Sequence, residues 1–180
     1  QAIFIYLFFI NIKIIGINLG RKYFSFIFNV IGPLIKSEQI INNNLEKFLG
    51  AQNDDIKNKI KLKMWDNYGK TFVEYLYLKK FKNTNSHINI KGEEILNQIQ
   101  KVNKPVIFVS GHFANFELMS MELTKRNVKL ATIYRPLNNF FLNPFMEYLR
   151  KKYVCQNQIK KGLAGVKNSI HYIKKNLVLH

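Results

Sequence analysis

Val106-Ile107-Phe108-Val109-Ser110-Gly111-His112-Phe113-Ala114-Asn115-Phe116-Glu117 is the stretch whose reading decides the fold. Four apolar residues after Lys104-Pro105 predict a buried strand, Ser110-Gly111 ends it, and a helix follows over roughly Asn115 to Arg126. The same alternation runs outward in both directions. Upstream, Ile88-Asn89-Ile90 reads as a short strand and Gly92 to Val102 as a helix with Ile95, Leu96 and Ile99 on one face. Downstream come a strand over Val128 to Tyr134, helices over Asn139 to Lys152 and Val166 to Lys175, and a further strand opening at Leu177-Val178-Leu179. Strands alternating with helices predict an α/β fold: a largely parallel sheet flanked by helices.

The N-terminal part has a different pattern. Ala2 to Ile10 is almost wholly apolar, and the character persists through Ile12, Ile14, Ile15, Ile17 and Leu19. A spanning helix needs about 20 such residues, so residues 1–20 are expected to anchor the chain in a membrane. Arg21, Lys22 and Lys36 follow on the C-terminal side, which places the remainder, residues 21–180, in the cytoplasm as one domain. A cleaved signal peptide is the rival reading, but neither a basic leader nor a small-residue cleavage site is in view. Phe24 to Ile35 is too short to span and reads as an interfacial or core helix. From Ser37 to Phe81 the spacing is helical, with Ser37 capping one amphipathic helix and Asp54 or Asp55 the next.

Composition narrows the class. A hydrophobic share of 47% excludes a disordered chain. Lys and Arg number 28 against 11 Asp and Glu, a net charge of +17 that draws the protein to anionic lipid, acidic proteins or nucleic acid. Cys155 is the only cysteine, so no intrachain disulfide and no multi-cysteine metal site can form. Its context, Tyr153-Val154-Cys155, suits a small core residue better than a nucleophile.

The chemistry centres on His112 and Glu117. On one continuous helix five residues turn the side chains about 140° apart, so the two meet only if His112 lies in the turn before the helix. Gly111 supplies freedom for such a turn. Glu117 then orients the imidazole and leaves its other nitrogen as a base. No serine or cysteine nucleophile is evident beside them, which makes a substrate hydroxyl the nucleophile and calls for no metal or cofactor. Tyr134-Arg135-Pro136 places Arg135 at the end of the next strand, on the rim expected to carry His112. There Arg135 can grip a phosphate, stabilise an oxyanion with the backbone amides at Asn115, or simply be a solvated loop arginine.

Four stretches together resemble the late acyltransferases of lipid A biosynthesis, the lauroyl and myristoyl transferase family within the His-x4-Asp/Glu glycerolipid acyltransferases. They are Leu19-Gly20-Arg21, Met64 to Lys70 with Glu74-Tyr75, Gly111 to Leu118, and Tyr134 to Asn139. The resemblance implies a bacterial inner-membrane enzyme facing the cytoplasm. It implies an acyl carrier protein thioester as donor and a hydroxyl of a phosphorylated glycolipid, a lipid A precursor, as acceptor. His112 and Glu117 fall on the family's catalytic pair and Arg135 on its arginine near the active site. Ala114 stands where the family often has glycine and Phe116 where it often has tryptophan. The family's later strand ending in an Asp-Gln pair has no counterpart up to His180, so the domain is expected to be C-terminally incomplete. Two other readings stand beside this one: an acyltransferase acting on another glycerolipid or glycolipid, and a non-catalytic basic adaptor for membrane or nucleic acid. The chain carries no ordered nucleic-acid motif, and the preferred reading has no nucleic-acid partner.

Overall fold

Gly16 decides the shape of the apolar N-terminus. It adopts φ 82° and ψ 167°, a combination open essentially to glycine alone, and it separates helix α1 (Ala2–Ile15) from α2 (Ile17–Ile35). The computed structural model describes residues 2–51, 53–102, 104–174 and 178–179. These form two compact units, Ile3–Tyr77 and Leu78–His180.

In the first unit, α2 packs on α4 (Asp54–Glu74), with α3 (Glu38–Leu49) between them in sequence. The residue pairing is antiparallel. Arg21 meets Glu74, with nitrogen–oxygen distances of 3.0 and 2.8 Å, and Ser25 donates to Asp66, which Lys70 also holds at 2.6 Å. Close approach depends on missing side chains: a Cβ on Gly69 would lie 2.4 Å from the Phe24 carbonyl oxygen, and one on Gly32 would lie 2.2 Å from the Trp65 ring. Phe24 and Phe72 stack with centroids 5.3 Å apart beside buried Phe9, Ile12 and Val73. A single 3-10 turn, Tyr75–Tyr77, ends the unit.

No helix among the described residues is long and apolar enough to cross a membrane. Within the stretch expected to anchor the chain, residues 2–20 belong to two helices that meet at Gly16. The apolar side chains are there, but the break at Gly16 divides them, and Phe9, Ile12 and Gly20 are buried within the unit while Ile3, Phe4, Leu7, Ile10 and Ile14 remain exposed.

The second unit contains α5 (Leu78–Asn83), α6 (Glu93–Val102), α7 (Glu117–Lys125), β1 (Leu130–Tyr134), α8 (Asn143–Leu149), a π-helical turn (Arg150–Val154), β2 (Asn157–Lys160), α9 (Leu163–Lys174) and β3 (Val178–Leu179). Among the described residues the sheet has three strands in the order β2-β1-β3, both pairs parallel. Register sets Ile133 beside Ile159 and Leu130 beside Val178. Ala131 and Ile159, both buried, form a core patch on which Tyr172 and Ile173 of α9 pack. The parallel, helix-flanked α/β arrangement is as expected, though the protein is mostly helical and the sheet is small.

Several expected elements differ. Val106–Val109 is not a buried strand: only Ile107 makes a bridge, and Ile107 and Val109 are 64% and 89% exposed. Ile88-Asn89-Ile90 lies in irregular chain. The strand β2 was not foreseen, since Asn157, Gln158 and Lys160 surround a single apolar residue and give no alternation to read. The cap of α4 is Asn53, whose side chain accepts from the Ile56 N–H at 2.9 Å, and Asp54 and Asp55 sit in the first turn. Ser37 occupies the cap position of α3 without a side-chain hydrogen bond. Lys175 and Leu177, at the expected ends of the last helix and strand, lie outside the described residues. Cys155 is buried, donates to the Leu130 carbonyl at 3.0 Å, and has its thiol pushed up by that burial, as a core cysteine should.

Candidate active site

The segment after Ile107 folds into consecutive tight turns. The Phe113 N–H donates to the Gly111 carbonyl at 2.9 Å, closing a three-residue turn with His112 at its apex. Left-handed backbone falls on Ala114, with φ 47°, and not on Gly111. Gly111 instead leaves room for an aromatic ring, since a Cβ there would lie 2.4 Å from the Phe113 ring. Helix α7 begins at Glu117, two residues later than expected, after Leu118 N–H has bonded the Asn115 carbonyl at 3.1 Å.

This geometry puts His112 before the helix and Glu117 at its first position. Both line a cavity of about 530 Å³, together with Arg135. Asn115 is buried and does not line it. His112 and Arg135 are exposed, so they stand at the mouth, while Glu117 is 7% exposed and lies at the floor. The imidazole rests on Phe116, centroids 4.2 Å apart. Ile107, Phe108, Val109 and Ile133 supply apolar wall, and Ser110, Ser120 and Thr132 supply hydroxyls.

At the floor the Glu117 carboxylate accepts from Arg150 Nε at 2.6 Å, a pair with both side chains nearly buried. Arg150 also lies over the Tyr134 ring, 5.7 Å from its centroid. In the sequence Arg150 stands in the basic run Arg150-Lys151-Lys152, which carries no signal of a buried partner. Its position follows from the π-helical turn, in which the Cys155 N–H reaches back to the Arg150 carbonyl at 2.9 Å. Such single-turn widenings recur at functional sites, but they leave no periodic signature in sequence.

Arg135 is held indirectly. Burial, then the hydrogen bond to Glu147, pushes the Tyr134 phenol well above its ordinary range. Glu147 is held below the usual carboxylate range, first by that hydroxyl and then, against its own burial, by Asn143 at 2.8 Å and Lys160 at 3.4 Å. Asn143 also accepts from the Leu137 N–H at 2.8 Å. The loop carrying Arg135 is thus fixed on both sides, and Arg135, just after the end of β1, lines the same cavity as His112.

A base candidate, a buried carboxylate paired with one arginine, a second arginine at the mouth and an apolar wall suit reaction of a polar group on a molecule with an apolar tail. No curated protein matches the chain. The sequence model of the family described as bacterial lipid A biosynthesis acyltransferase matches residues 1–178, nearly the whole length, and the chain belongs to that family.

Proposed function

We propose that the protein transfers a fatty acyl group from an acyl carrier protein thioester to a hydroxyl of a lipid A precursor. The observation that carries this reading is the convergence of His112, Glu117 and Arg135 on one cavity with an apolar wall. His112 takes the proton of the acceptor hydroxyl, whose oxygen attacks the thioester carbonyl. The tetrahedral oxyanion is stabilised by Arg135 and by backbone amides in the turn from Asn115 to Glu117 at the start of α7. When the carbon–sulfur bond breaks, the imidazolium returns its proton to the departing thiolate, so the base is restored.

Glu117 orients the imidazole in this scheme. A carboxylate offers about four acceptor positions on its two oxygens, so the bond from Arg150 and one from an imidazole N–H are compatible. The basic surface, net charge +17, suits an acidic carrier protein and anionic lipid. Residues 1–20 tether the chain to the bacterial inner membrane, with residues 21–180 on the cytoplasmic side. Their exposed apolar side chains on α1 and the lysines that follow support a tether that lies in the interface rather than across it.

The test is direct. The full protein is incubated with membranes carrying the acceptor and with acyl carrier protein thioesters of several lengths, and the lipid product is identified by mass. His112→Ala should reduce transfer by ~10²–10⁴-fold with folding unchanged, since the ring is exposed. Near-normal turnover in that variant would remove the proposed base, and a product acylated on a different lipid would move the acceptor to another glycerolipid or glycolipid.

A further inference from the structure

Within the first unit, α2, α3 and α4 line a cleft of about 290 Å³. That is roughly twice the ~150 Å³ of an engineered cavity that holds benzene, room for on the order of a dozen heavy atoms. One wall is apolar: Pro33, Ile41, Leu62 and the indole of Trp65. The indole lies flat against α2 because Gly32 has no side chain to displace it.

The polar part is unbalanced in a specific way. Lys61 is neutralised by Glu38 at 2.6 Å, but Lys36 forms no ion pair among the described residues. Asn29 Oδ1 is buried with no hydrogen-bond partner among the described residues. Leaving a buried acceptor unsatisfied is costly, and a ligand bearing an O–H would satisfy it. An apolar wall, one uncompensated cation and one waiting acceptor together specify a head that is both anionic and a hydrogen-bond donor, on a short hydrocarbon body.

We infer that this cleft binds a single-chain anionic amphiphile whose head combines negative charge with an O–H, as an alkyl phosphomonoester does. The site is separate from the acyl-transfer reading and stands or falls without it. Trp65 is the chain's only tryptophan, so its emission reports on the cleft alone.

The full protein is titrated with decyl phosphate below its micelle concentration while Trp65 emission is followed. Saturable change is expected with decyl phosphate, with weaker binding of 1-decanol and no saturable change with inorganic phosphate. Lys36→Glu, at an exposed position, should weaken decyl phosphate binding about tenfold or more, the usual reach of one charge-assisted contact. Asn29→Leu should weaken it too while leaving the fold intact, because it replaces an unsatisfied polar group with an apolar one. Equal affinity for decanol and decyl phosphate, indifference to both substitutions, or a response only to phospholipid vesicles would each overturn the site. Because the readout is fluorescence and not turnover, its failure is distinguishable from failure of the proposed catalysis.

Discussion

Replacing Arg150 with methionine removes the partner of a carboxylate that the fold has placed at the floor of the cavity. The side chains are 12% and 8% exposed, and the Nε–Oε1 distance is 2.6 Å, so water cannot readily take over the lost bond. Breaking such a pair by removing one member costs about 3–5 kcal/mol, because the remaining charge stays buried and loses that compensation. Methionine keeps much of the arginine stem's volume, and the contact with the Tyr134 ring is largely retained. We therefore expect Arg150→Met to destabilise the second unit by about 3 kcal/mol. Glu117→Gln in the same chain should recover at least half of that, since the buried charge is then gone. The assay is urea-dependent hydrogen exchange of amides in α7 and β1, which reads this unit rather than the whole chain, as two units need not unfold together. A loss below about 0.5 kcal/mol in Arg150→Met, or a double variant whose cost is the plain sum of the singles, would refute the reasoning that the pair is coupled.

Ala114 pays for a left-handed φ of 47° just before the helix that carries Glu117. Ala114→Gly should stabilise the second unit by up to about 1 kcal/mol and Ala114→Val should destabilise it, as measured by chemical denaturation. Glu147 has its folded-state acidity shifted below the ordinary value of 4.5, chiefly by the Tyr134 hydroxyl, so its stabilisation is present above that pH. It is lost as pH falls through the lower folded value, and Glu147→Gln should flatten the acid limb of a stability–pH curve relative to the parent. Arg135→Lys keeps the charge but loses the planar fork. Oxyanion stabilisation then predicts a fall in kcat, whereas phosphate capture predicts a rise in KM alone, and steady-state kinetics separates the two.

Local chemistry made the candidate residues legible in the sequence. The position of Glu117 at a helix start and that of Arg135 at a strand end depend on short-range rules, and the structure brings both, with His112, to one cavity. The membership of Cys155 in the core was equally legible, because one small apolar-flanked thiol has few alternatives. Tertiary packing decided what depends on partners distant in sequence. Val106–Val109 carries a strand's residues yet forms no strand, whereas Asn157–Lys160, with almost no strand signal, pairs along β1. Likewise Arg150 reaches Glu117 across 33 positions through a π-helical turn that no periodicity announces. Apolar content marked residues 1–20 as an anchor, and the fold adds the break at Gly16 that separates α1 from α2. Composition states which surfaces must leave water; only the folded chain determines what each of them meets.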